Sequence, residues 1–333
     1  MNHHVMGIGN ALVDIEIRVA EDFINELALT KGGMTLTTPE EQTKILDKVS
    51  GHAQKIVSGG SAANTIHGIS ALGGKTYYLG RVADDAYGTH YTEDMKSCGV
   101  GFPGPDAKTD GTGTCLILVT PDSERTMLTH LGISAQLHAS NVDETLVRGA
   151  RMVYIEGYLW TGDATREAAM KMAEVARLAD IPVAFTLSDG FVVNTWKDSL
   201  IDFLRLKVDI LFCNEVEAMA MGGGGTLEKS VEKLKGMVPT LFVTRGKQGS
   251  LATANGDANL TIRPFPVEAV DTTGAGDLYA AGVLYGLTHN HSLEESAILG
   301  SYCSAQVVTH MGGRMPLGSH TQPSAILKAY RKL

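Results

Sequence analysis

The residues that could perform chemistry are most concentrated in segment 271–277, Asp-Thr-Thr-Gly-Ala-Gly-Asp, which immediately precedes a long apolar run. Gly274, Ala275 and Gly276 carry little or no side chain, so their backbone N–H groups can approach a ligand closely, and the helix predicted to follow adds a positive partial charge. This turn favours an anion. Asp277 falls in the first helical turn beside that anion, where a carboxylate is useful as a proton acceptor. The alternative interpretation is an ordinary helix start.

A second glycine turn contains Gly59, Gly60 and Ser61 and connects a short predicted strand (55–57) to a predicted helix. No acidic residue follows it, and Asn64 lies in the first turns of the helix. A neutral amide beside an accessible backbone is better suited to hydroxyl groups than to a phosphate. Close packing of the helix is the alternative explanation for the glycines.

The first predicted strand ends with Gly7 and Gly9, which invites comparison with a dinucleotide-binding fingerprint. The comparison fails because Leu12 stands where the third glycine would be and no helix begins there. Asn10 and Asp14 follow this strand, and α/β sheets bind ligands beyond the carboxyl ends of their strands. The amide and carboxylate therefore predict a hydroxyl-binding pair, with ordinary turn chemistry as the alternative.

Two further strand ends carry candidate nucleotide and metal groups. Asn214 and Glu217 are three residues apart at a predicted helix start, where an amide and a carboxylate can hold the water shell of Mg²⁺. A simple helix cap explains the same pair. The predicted strand 241–244 ends at Thr244 and continues into Arg245, Gly246 and Gly249, which we interpret as candidate contacts for a nucleotide.

Alternating strands and helices from residue 151 onwards predict a parallel sheet flanked by helices. Residues 112–120 and 125–130 predict a β-hairpin, and with the alternating segment after Leu12 they predict a small antiparallel sheet over the main domain. We therefore expect one domain, residues 1–333, with a lid built from about 12–37 and 108–132. Arg125, on the returning strand of the hairpin, could reach into a site closed by this lid.

Composition limits the classes of partner. The chain has 333 residues, is 44% hydrophobic and carries a formal net charge of −9, so a nucleic acid is a poor partner. No apolar run reaches membrane-spanning length, and the first residues lack the features of a signal peptide. The four cysteines show no paired spacing, which is typical of reduced thiols. These features predict a cytoplasmic enzyme without a membrane partner.

Taken together, the motifs resemble those of the ribokinase-like (PfkB) family of carbohydrate and nucleoside kinases over essentially the whole chain. Segment 271–277 is similar to the C-terminal signature of that family, and residues 59–64 with 84–88 are similar to its N-terminal signature. Ala83 departs from the glycine common at its position. The Asn214-x-x-Glu217 pair matches the motif of the family that is linked to Mg²⁺. The resemblance implies a three-layer α/β/α sandwich with a small β-sheet lid, and transfer of the ATP γ-phosphate to a hydroxymethyl group.

The resemblance also implies a role for each candidate residue. Asp277 would be the base, and its place at a helix N-terminus predicts an ionised carboxylate that mainly orients the hydroxyl. Arg125 would close over the phosphates. Mg²⁺ would be held through Glu217, and K⁺ beside the turn by Asp271 and Thr273. The remaining roles are acceptor binding by Asn10, Asp14, Gly60 and Asn64, and lining of the ATP pocket by residues 244–249 and by a segment from His310 to Gly313.

The acceptor is the least determined part of the prediction. Within the family, segments 7–14, 154–160 and 187–191 are most similar to adenosine kinases, which predicts the 5′-hydroxymethyl group of a nucleoside as acceptor. Tyr158 or Trp160 would stack on the purine, unless both are core residues. A sugar kinase of the ribokinase or fructokinase type is the alternative, and a non-catalytic nucleoside-binding or regulatory protein is the alternative from another class. A monomer and a homodimer are both compatible with the sequence.

Overall fold

The computed structural model describes residues 2–52, 54–106, 110–122, 124–315 and 321–333. Within these ranges the strands are β1 (His3–Ile8), β2 (Leu12–Arg18), β3 (Met34–Leu36), β4 (Gln54–Gly59), β5 (Thr76–Leu79), β6 (Val100–Gly101), β7 (Thr112–Val119), β8 (Arg125–Gly132), β9 (Ala150–Glu156), β10 (Val183–Thr186), β11 (Ile210–Asn214), β12 (Thr240–Thr244), β13 (Ser250–Ala254) and β14 (Leu260–Ile262). The α-helices are α1 (Glu21–Glu26), α2 (Pro39–Lys48), α3 (Ser61–Ala71), α4 (Ala86–Ser97), α5 (Glu144–Arg148), α6 (Asp163–Leu178), α7 (Gly190–Lys207), α8 (Glu215–Gly222), α9 (Leu227–Lys235), α10 (Ala275–Thr288), α11 (Leu293–Val307) and α12 (Pro323–Tyr330).

The larger sheet has nine strands in the order β14-β13-β12-β11-β10-β9-β1-β5-β6. Its strands from β12 to β6 pair in parallel, and the hairpin of β13 and β14 adds an antiparallel edge. The prediction of a parallel sheet from the strand–helix alternation is therefore confirmed. Parallel pairing places the carboxyl ends of β1, β9, β10, β11 and β12 along one edge, where their loops can build a site.

Helices cover both faces of this sheet, which makes three layers as predicted. One apolar core includes Ile66 of α3, Leu278 and Val283 of α10, and Leu299 of α11. The other includes Met172 of α6 and many side chains of α7 to α9. Burying both faces of a parallel sheet in this way explains why its strands are continuously apolar in sequence.

The smaller sheet has five strands in the order β3-β8-β7-β2-β4 and forms the lid. The predicted β7–β8 hairpin is confirmed, but the expected antiparallel sheet is mixed, since β2 pairs with β7, and β3 with β8, in parallel. The lid also takes in β4, which lies outside the predicted lid segments, because β4 pairs along β2. Residues 108, 109 and 123 of the predicted segments lie outside the described residues.

One face of the lid sheet packs against α1 and α2, through Ile15, Ile17 and Leu116 among others. The alternate residues of the same strands, such as Leu12, Cys115 and Ile117, form a separate apolar surface on the opposite face. Because side chains of a strand alternate between faces, β2 also turns Asp14 and Glu16 toward that second side. The lid therefore presents apolar residues with buried carboxylates among them.

Local helix signals are confirmed at both ends of the chain. Thr38 and Glu41 form the predicted capping box of α2, and Ser292 and Glu295 form that of α11. Among the described helices, none is long and apolar enough to cross a membrane.

Candidate active site

A cavity of about 390 Å³ lies between the carboxyl ends of the central strands and the lid. It is lined by side chains from both sheets and by the turn before α10. Of the predicted site residues, it brings together Asn10, Asp14, Gly60, Ser61, Asn64, Arg125, Tyr158, Asn214, Glu217, Thr244, Thr273, Gly274, Ala275, Gly276 and Asp277. Segments separated by more than 200 residues thus meet in one place.

The other predicted residues do not line this cavity; they are Gly59, Arg245, Gly246, Gly249, Asp271, His310 and Gly313. Gly59 lies behind Asp14, since a Cβ at Gly59 would fall 2.1 Å from a carboxylate oxygen of Asp14. Gly313 packs behind the glycine turn, where a Cβ at Gly274 would fall 2.4 Å from the Gly313 carbonyl oxygen. These two glycines allow close backbone approach that supports the site from outside.

Asp277 is the third residue of α10, which begins after Gly274 in a left-handed conformation with a φ of 72°. The side chain of Ser61 donates to Asp277 Oδ1 at 2.7 Å, and Asn64 Nδ2 donates to Oδ2 at 3.1 Å. The first turn of any helix leaves backbone N–H groups without an intrahelical acceptor, so the same turn offers donors to an anion. A carboxylate and a helix N-terminus therefore share one end of the cavity, although the Ala275 N–H donates to the Thr272 carbonyl oxygen at 3.3 Å.

Burial raises the pKa of Asp277 to about 6, against the lowering effects of Ser61, Asn64 and Arg125. At neutral pH a carboxyl with this pKa is still mostly ionised, so the expectation of an ionised Asp277 stays a prediction, and burial makes the group more basic than its place at a helix N-terminus suggests. Desolvation of the charged form in the cavity outweighs the donors and the positive charge around it. A carboxylate with a pKa near 6 is a better proton acceptor at neutral pH than an exposed aspartate.

Helix α3 delivers Ser61 and Asn64 to Asp277. Gly60, the residue before α3, has a φ of 96°, which favours glycine, and a Cβ there would lie 2.2 Å from the Asn10 carbonyl oxygen. Farther along α3, Gly68 lets the helix approach α10 closely, since a Cβ would meet Leu278 at 2.6 Å. Close packing at Gly60 is therefore confirmed, and approach of a ligand to the backbone of this turn stays a prediction.

Glu156, at the end of β9, is a site residue that the sequence analysis did not identify. It is fully buried, lines the cavity and accepts hydrogen bonds from the Asn10 backbone N–H at 2.7 Å, Asn10 Nδ2 at 3.0 Å and the Ala62 backbone N–H at 2.8 Å. Burial raises the pKa of Glu156 to about 7. Its position at a strand end was the only available signal, because its partners are 94 and 146 residues away.

Asp14 lies within lid strand β2, while Asn10 lies at the end of β1. Both side chains are buried, and burial next to Glu16 raises the pKa of Asp14 to about 7. Ser134 Oγ donates to Asn10 Oδ1 at 2.9 Å and so holds the amide. The predicted pair therefore lines the same cavity from two different sheets, which suits hydroxyl groups that lie between them.

Asp271 does not line the cavity but accepts hydrogen bonds that hold the turn before α10. Its Oδ1 accepts from the Thr273 backbone N–H at 2.9 Å and from Thr273 Oγ1, while Oδ2 accepts from the Gly312 backbone N–H at 2.8 Å. Arg125 Nε lies 3.7 Å from Oδ1. Because both carboxylate oxygens already have protein donors, the K⁺ prediction rests on neighbouring backbone carbonyls and stays a prediction.

Asn214 and Glu217 form a capping box at the start of α8, as the simpler interpretation held. Glu217 Oε2 accepts from the Asn214 backbone N–H at 3.0 Å, and Oε1 accepts from Asn214 Nδ2 at 2.7 Å. Glu217 nevertheless lines the cavity, and burial raises its pKa to about 7. Each carboxylate oxygen keeps a second acceptor position, so this hard oxygen group fits a hydrated Mg²⁺.

The nucleotide candidates at the end of β12 are held by contacts within their turn and by a contact with the first residue of α8. Arg245 pairs with Glu215 at 3.2 Å and donates to Gln248 Oε1 at 2.6 Å. Gly246 and Gly249 both have positive φ angles, which explains the glycines in this turn. Only Thr244 of this group reaches the cavity.

The two aromatic candidates, Tyr158 and Trp160, occupy different environments. Trp160 is 1% exposed, packs against Phe185 and Phe203 and donates from Nε1 to Ser199 Oγ, so its predicted stacking on a purine is ruled out. Tyr158 is partly buried and lines the cavity. Both follow β9, but the intervening 3₁₀ turn directs them to different environments.

A three-layer α/β sandwich with a lid, and a half-buried carboxylate beside a glycine turn at a helix N-terminus, are features of a phosphotransferase of the small-molecule kinase class. A model of the pfkB family carbohydrate kinases matches residues 33–319. The chain belongs to this family and is an ATP-dependent kinase of a nucleoside or a sugar, and the alternative of a non-catalytic binding protein is set aside.

Individual relatives fall on both sides of the nucleoside and sugar division. The crystal structure of adenosine kinase from Sinorhizobium meliloti is 34% identical, with a TM-score of 0.92 over 100% of this chain and 99% of the other. A probable sugar kinase protein from Rhizobium etli CFN 42 is 33% identical, with a TM-score of 0.93 over 100% and 99%. Adenosine kinase from Saccharomyces cerevisiae is 26% identical over 93% of this chain and 96% of its own length.

Proposed function

We propose that this protein transfers the γ-phosphate of ATP to the 5′-hydroxymethyl group of a nucleoside, with adenosine as the first candidate and AMP as its product. The observation that carries the proposal is the Asp277 carboxylate, held by Ser61 and Asn64 in a cavity that it shares with the anion-binding turn. The hydroxyl of the acceptor and the γ-phosphate would meet at this point.

In the proposed reaction, the hydroxyl oxygen of the acceptor bonds to the γ-phosphorus, and the bond from that phosphorus to the β–γ bridging oxygen breaks. ADP leaves with the electron pair of the broken bond, and Asp277 accepts the proton of the hydroxyl. The backbone N–H groups of Gly274 and Gly276 stabilise the transferred phosphoryl group, with Ala275 between them donating to the Thr272 carbonyl oxygen at 3.3 Å, and Arg125 adds positive charge from the lid. Mg²⁺ neutralises phosphate charge when it is bound, and Glu217 is the residue that would hold its water shell.

The acceptor end supplies both kinds of surface that a nucleoside needs. Asn10, Asp14 and Asn64 offer amide and carboxylate groups for the hydroxyls of a ribose. The lid contributes apolar surface for a base, from Leu12, Met34, Leu36, Cys115, Ile117, Met127 and Leu131. A sugar alone has less use for this apolar surface.

A sugar kinase is the second candidate, and Glu156 favours it. This fully buried carboxylate adds a further acceptor for hydroxyl groups at the floor of the cavity. The similarity to the probable sugar kinase protein supports the same alternative. The two proposals agree on the roles of Asp277 and the glycine turn and differ only in the acceptor.

The proposal is tested by incubating the purified protein with ATP and Mg²⁺ and a panel of acceptors, with release of ADP as the measurement. The panel contains adenosine, inosine, cytidine, ribose and fructose, together with 5′-deoxyadenosine as a matched control that lacks the attacking hydroxyl. We expect turnover with adenosine and none with the deoxy control. Turnover with ribose or fructose but not with any nucleoside would replace the first proposal with the second.

A further inference from the structure

Arg314, in the loop after α11, is a cation that the proposed reaction does not use. Its side chain is 12% exposed and forms an ion pair with Asp94 of α4. Its guanidinium lies 5.9 Å from the centre of the Tyr91 ring. Helix α4 thus holds the head group of Arg314 in one place.

A two-step hydrogen-bond chain leads from Arg314 to the catalytic carboxylate. Arg314 Nε donates to Asn64 Oδ1 at 3.1 Å, and Asn64 Nδ2 donates to Asp277 Oδ2 at 3.1 Å. A guanidinium only donates and an ionised carboxylate only accepts, so the amide between them satisfies both in just one orientation. If the amide were flipped, donor would face donor and acceptor would face acceptor.

We propose that Arg314 is a positioning residue for proton transfer, which fixes the Asn64 amide so that its N–H donor faces Asp277. This inference rests on the proposed function, in which Asp277 accepts the proton of the acceptor hydroxyl. The guanidinium also polarises the amide and strengthens the hydrogen bond that the amide donates. Arg314 therefore acts on the ionised form of Asp277 without touching it.

Backbone packing holds the Arg314–Asn64–Asp277 hydrogen-bond network in place. A Cβ at Gly313 would lie 2.7 Å from Asn64 Nδ2, so the loop that carries Arg314 rests directly on the Asn64 side chain. The preceding residue, Gly312, donates its backbone N–H to Asp271 at the base of the glycine turn. The loop thus contacts both the Asn64 amide and Asp271, which holds the glycine turn.

Other polar and charged groups also act on the pKa of Asp277 and set the background for any pH effect. Ser61 and Arg125 favour its ionised form, from α3 and β8. Ionised Asp277 in turn raises the pKa values of the surrounding acidic groups, which are Asp14 on β2, Tyr154 and Glu156 on β9, Tyr158 after β9 and Glu217 on α8. The titratable groups that Arg314 itself acts on or contacts are Asp14, Tyr78, Tyr91, Asp94, His67 and Cys98, and its charge favours the ionised form of Asp14 without passing through Asn64. Only the change in Asp277 is expected to depend on Asn64.

The test compares Arg314→Ala with Arg81→Ala in steady-state kinetics from pH 5 to pH 9. Arg81 is a matched control because its side chain is 13% exposed and also pairs with a carboxylate, that of Asp106, but it makes no contact with Asn64. We expect Arg314→Ala to lower kcat by about 10- to 100-fold, as a small misplacement of a reacting group does. The acidic limb of its pH profile should move upward, while KM for ATP stays unchanged.

Two further measurements separate positioning from general support of the fold. In a double-mutant cycle, Arg314→Ala should shift the acidic limb in the parent protein but not in an Asn64→Ala background, because both changes remove the same hydrogen bond. Added guanidinium ion at millimolar concentration should restore part of the kcat of Arg314→Ala, since Arg314 borders a second cavity of about 270 Å³ that can admit the ion. Arg81→Ala should show neither effect.

Each failure has a distinct meaning. If Asp277→Asn keeps full turnover, the proposed function itself fails. If Asp277→Asn loses turnover but Arg314→Ala behaves like Arg81→Ala, or its effects add to those of Asn64→Ala, only the positioning role of Arg314 is overturned. Should Arg314→Ala not fold, Asp94→Asn, which removes the anchor of the guanidinium, must shift the acidic limb in the same direction by a smaller amount.

Discussion

The acceptor end of the cavity and its nucleotide end are built in different ways. At the acceptor end, Glu156 holds residues that are 94 and 146 positions away, and Asp277 is bonded to α3 across more than 200 positions. At the nucleotide end, Asn214 bonds to Glu217 and Arg245 to Gln248, three positions apart in each case. Long-range contacts specify the first region, whereas the second combines local turn chemistry with the Arg245–Glu215 pair, which spans 30 positions.

Burial separates the acceptor end from Arg245, although Glu217 at the nucleotide end is also buried, with a pKa raised to about 7. Asp14, Glu156 and Asp277 have pKa values raised to about 7, 7 and 6 because the closed cavity desolvates them. Arg245 lies in an open turn, with its side chain 25% exposed. A buried polar network depends strongly on each member, while an exposed pair contributes little. Substitutions should therefore have large effects at the acceptor end and small ones at partly exposed positions of the nucleotide end such as Arg245.

The largest effect is expected for Asp277→Asn, which removes the proton acceptor and keeps the shape. General-base catalysis contributes about 10²- to 10⁴-fold, so kcat should fall by that amount with little change in acceptor affinity. Single-turnover kinetics and equilibrium binding of the acceptor measure the two quantities. Asp163→Asn, an exposed acid in the first turn of α6, is the control and should keep full activity. Full activity of Asp277→Asn would contradict the proposed base.

Gly274→Ala should be the next most harmful change. Its φ of 72° is costly for alanine, and the new Cβ would fall 2.4 Å from the Gly313 carbonyl oxygen. We expect a loss of about 1–3 kcal/mol in the free energy of unfolding, measured by denaturant titration, together with a loss of kcat. At Gly276 a Cβ meets no atom within 4 Å, so Gly276→Ala should leave the stability intact. Equal stability of both variants would argue against strain at this turn.

The pH dependence of kcat/KM provides a finer test of the acceptor end. Asp277 must be ionised to accept a proton, so activity should fall as the pH drops through about 6, the raised pKa of this carboxyl. Ser61→Ala removes a donor that favours the ionised form, so its acidic limb should move upward by about one unit. Ser134→Ala, which removes a hydroxyl bonded to Asn10, should leave the limb in place. An unmoved limb in Ser61→Ala would show that another group controls it.

The smallest effect is expected at the nucleotide end. Arg245→Gln removes a partly exposed ion pair with Glu215. Such pairs contribute about 0.2–1 kcal/mol, so KM for ATP should rise by no more than about fivefold, with kcat unchanged. Initial rates at varied ATP concentration measure this. A loss as large as that of Asp277→Asn would remove the distinction between the two ends.

The sequence was sufficient wherever a structural cause is local. Thr38 and Ser292 predicted their helices because capping needs only residues three positions apart. The glycine turns before α3 and α10 were found for the same reason, since their backbone angles restrict the residue type. Family resemblance then joined these pieces into a fold that the structure confirms.

Features that depend on distant segments were missed or wrong. Glu156 and Arg314 gave no recognisable local pattern because their partners are far along the chain. The raised pKa of Asp277 was not predicted because desolvation is a property of the assembled cavity, and sequence position shows only the helix dipole. Strand β4 was not assigned to the lid because its pairing with β2 spans about 40 residues of chain.

Strand β4 ends at Gly59 and α3 begins at Ser61, so Gly60 is the only residue between the lid and the helix that contacts Asp277. The lid is consequently not a removable module. Deleting it, or exchanging it for the lid of a relative at the sheet boundary, would cut the chain within one residue of the acceptor site. An engineered exchange of acceptor specificity should therefore transfer β4, Gly60 and the first turn of α3 as one unit.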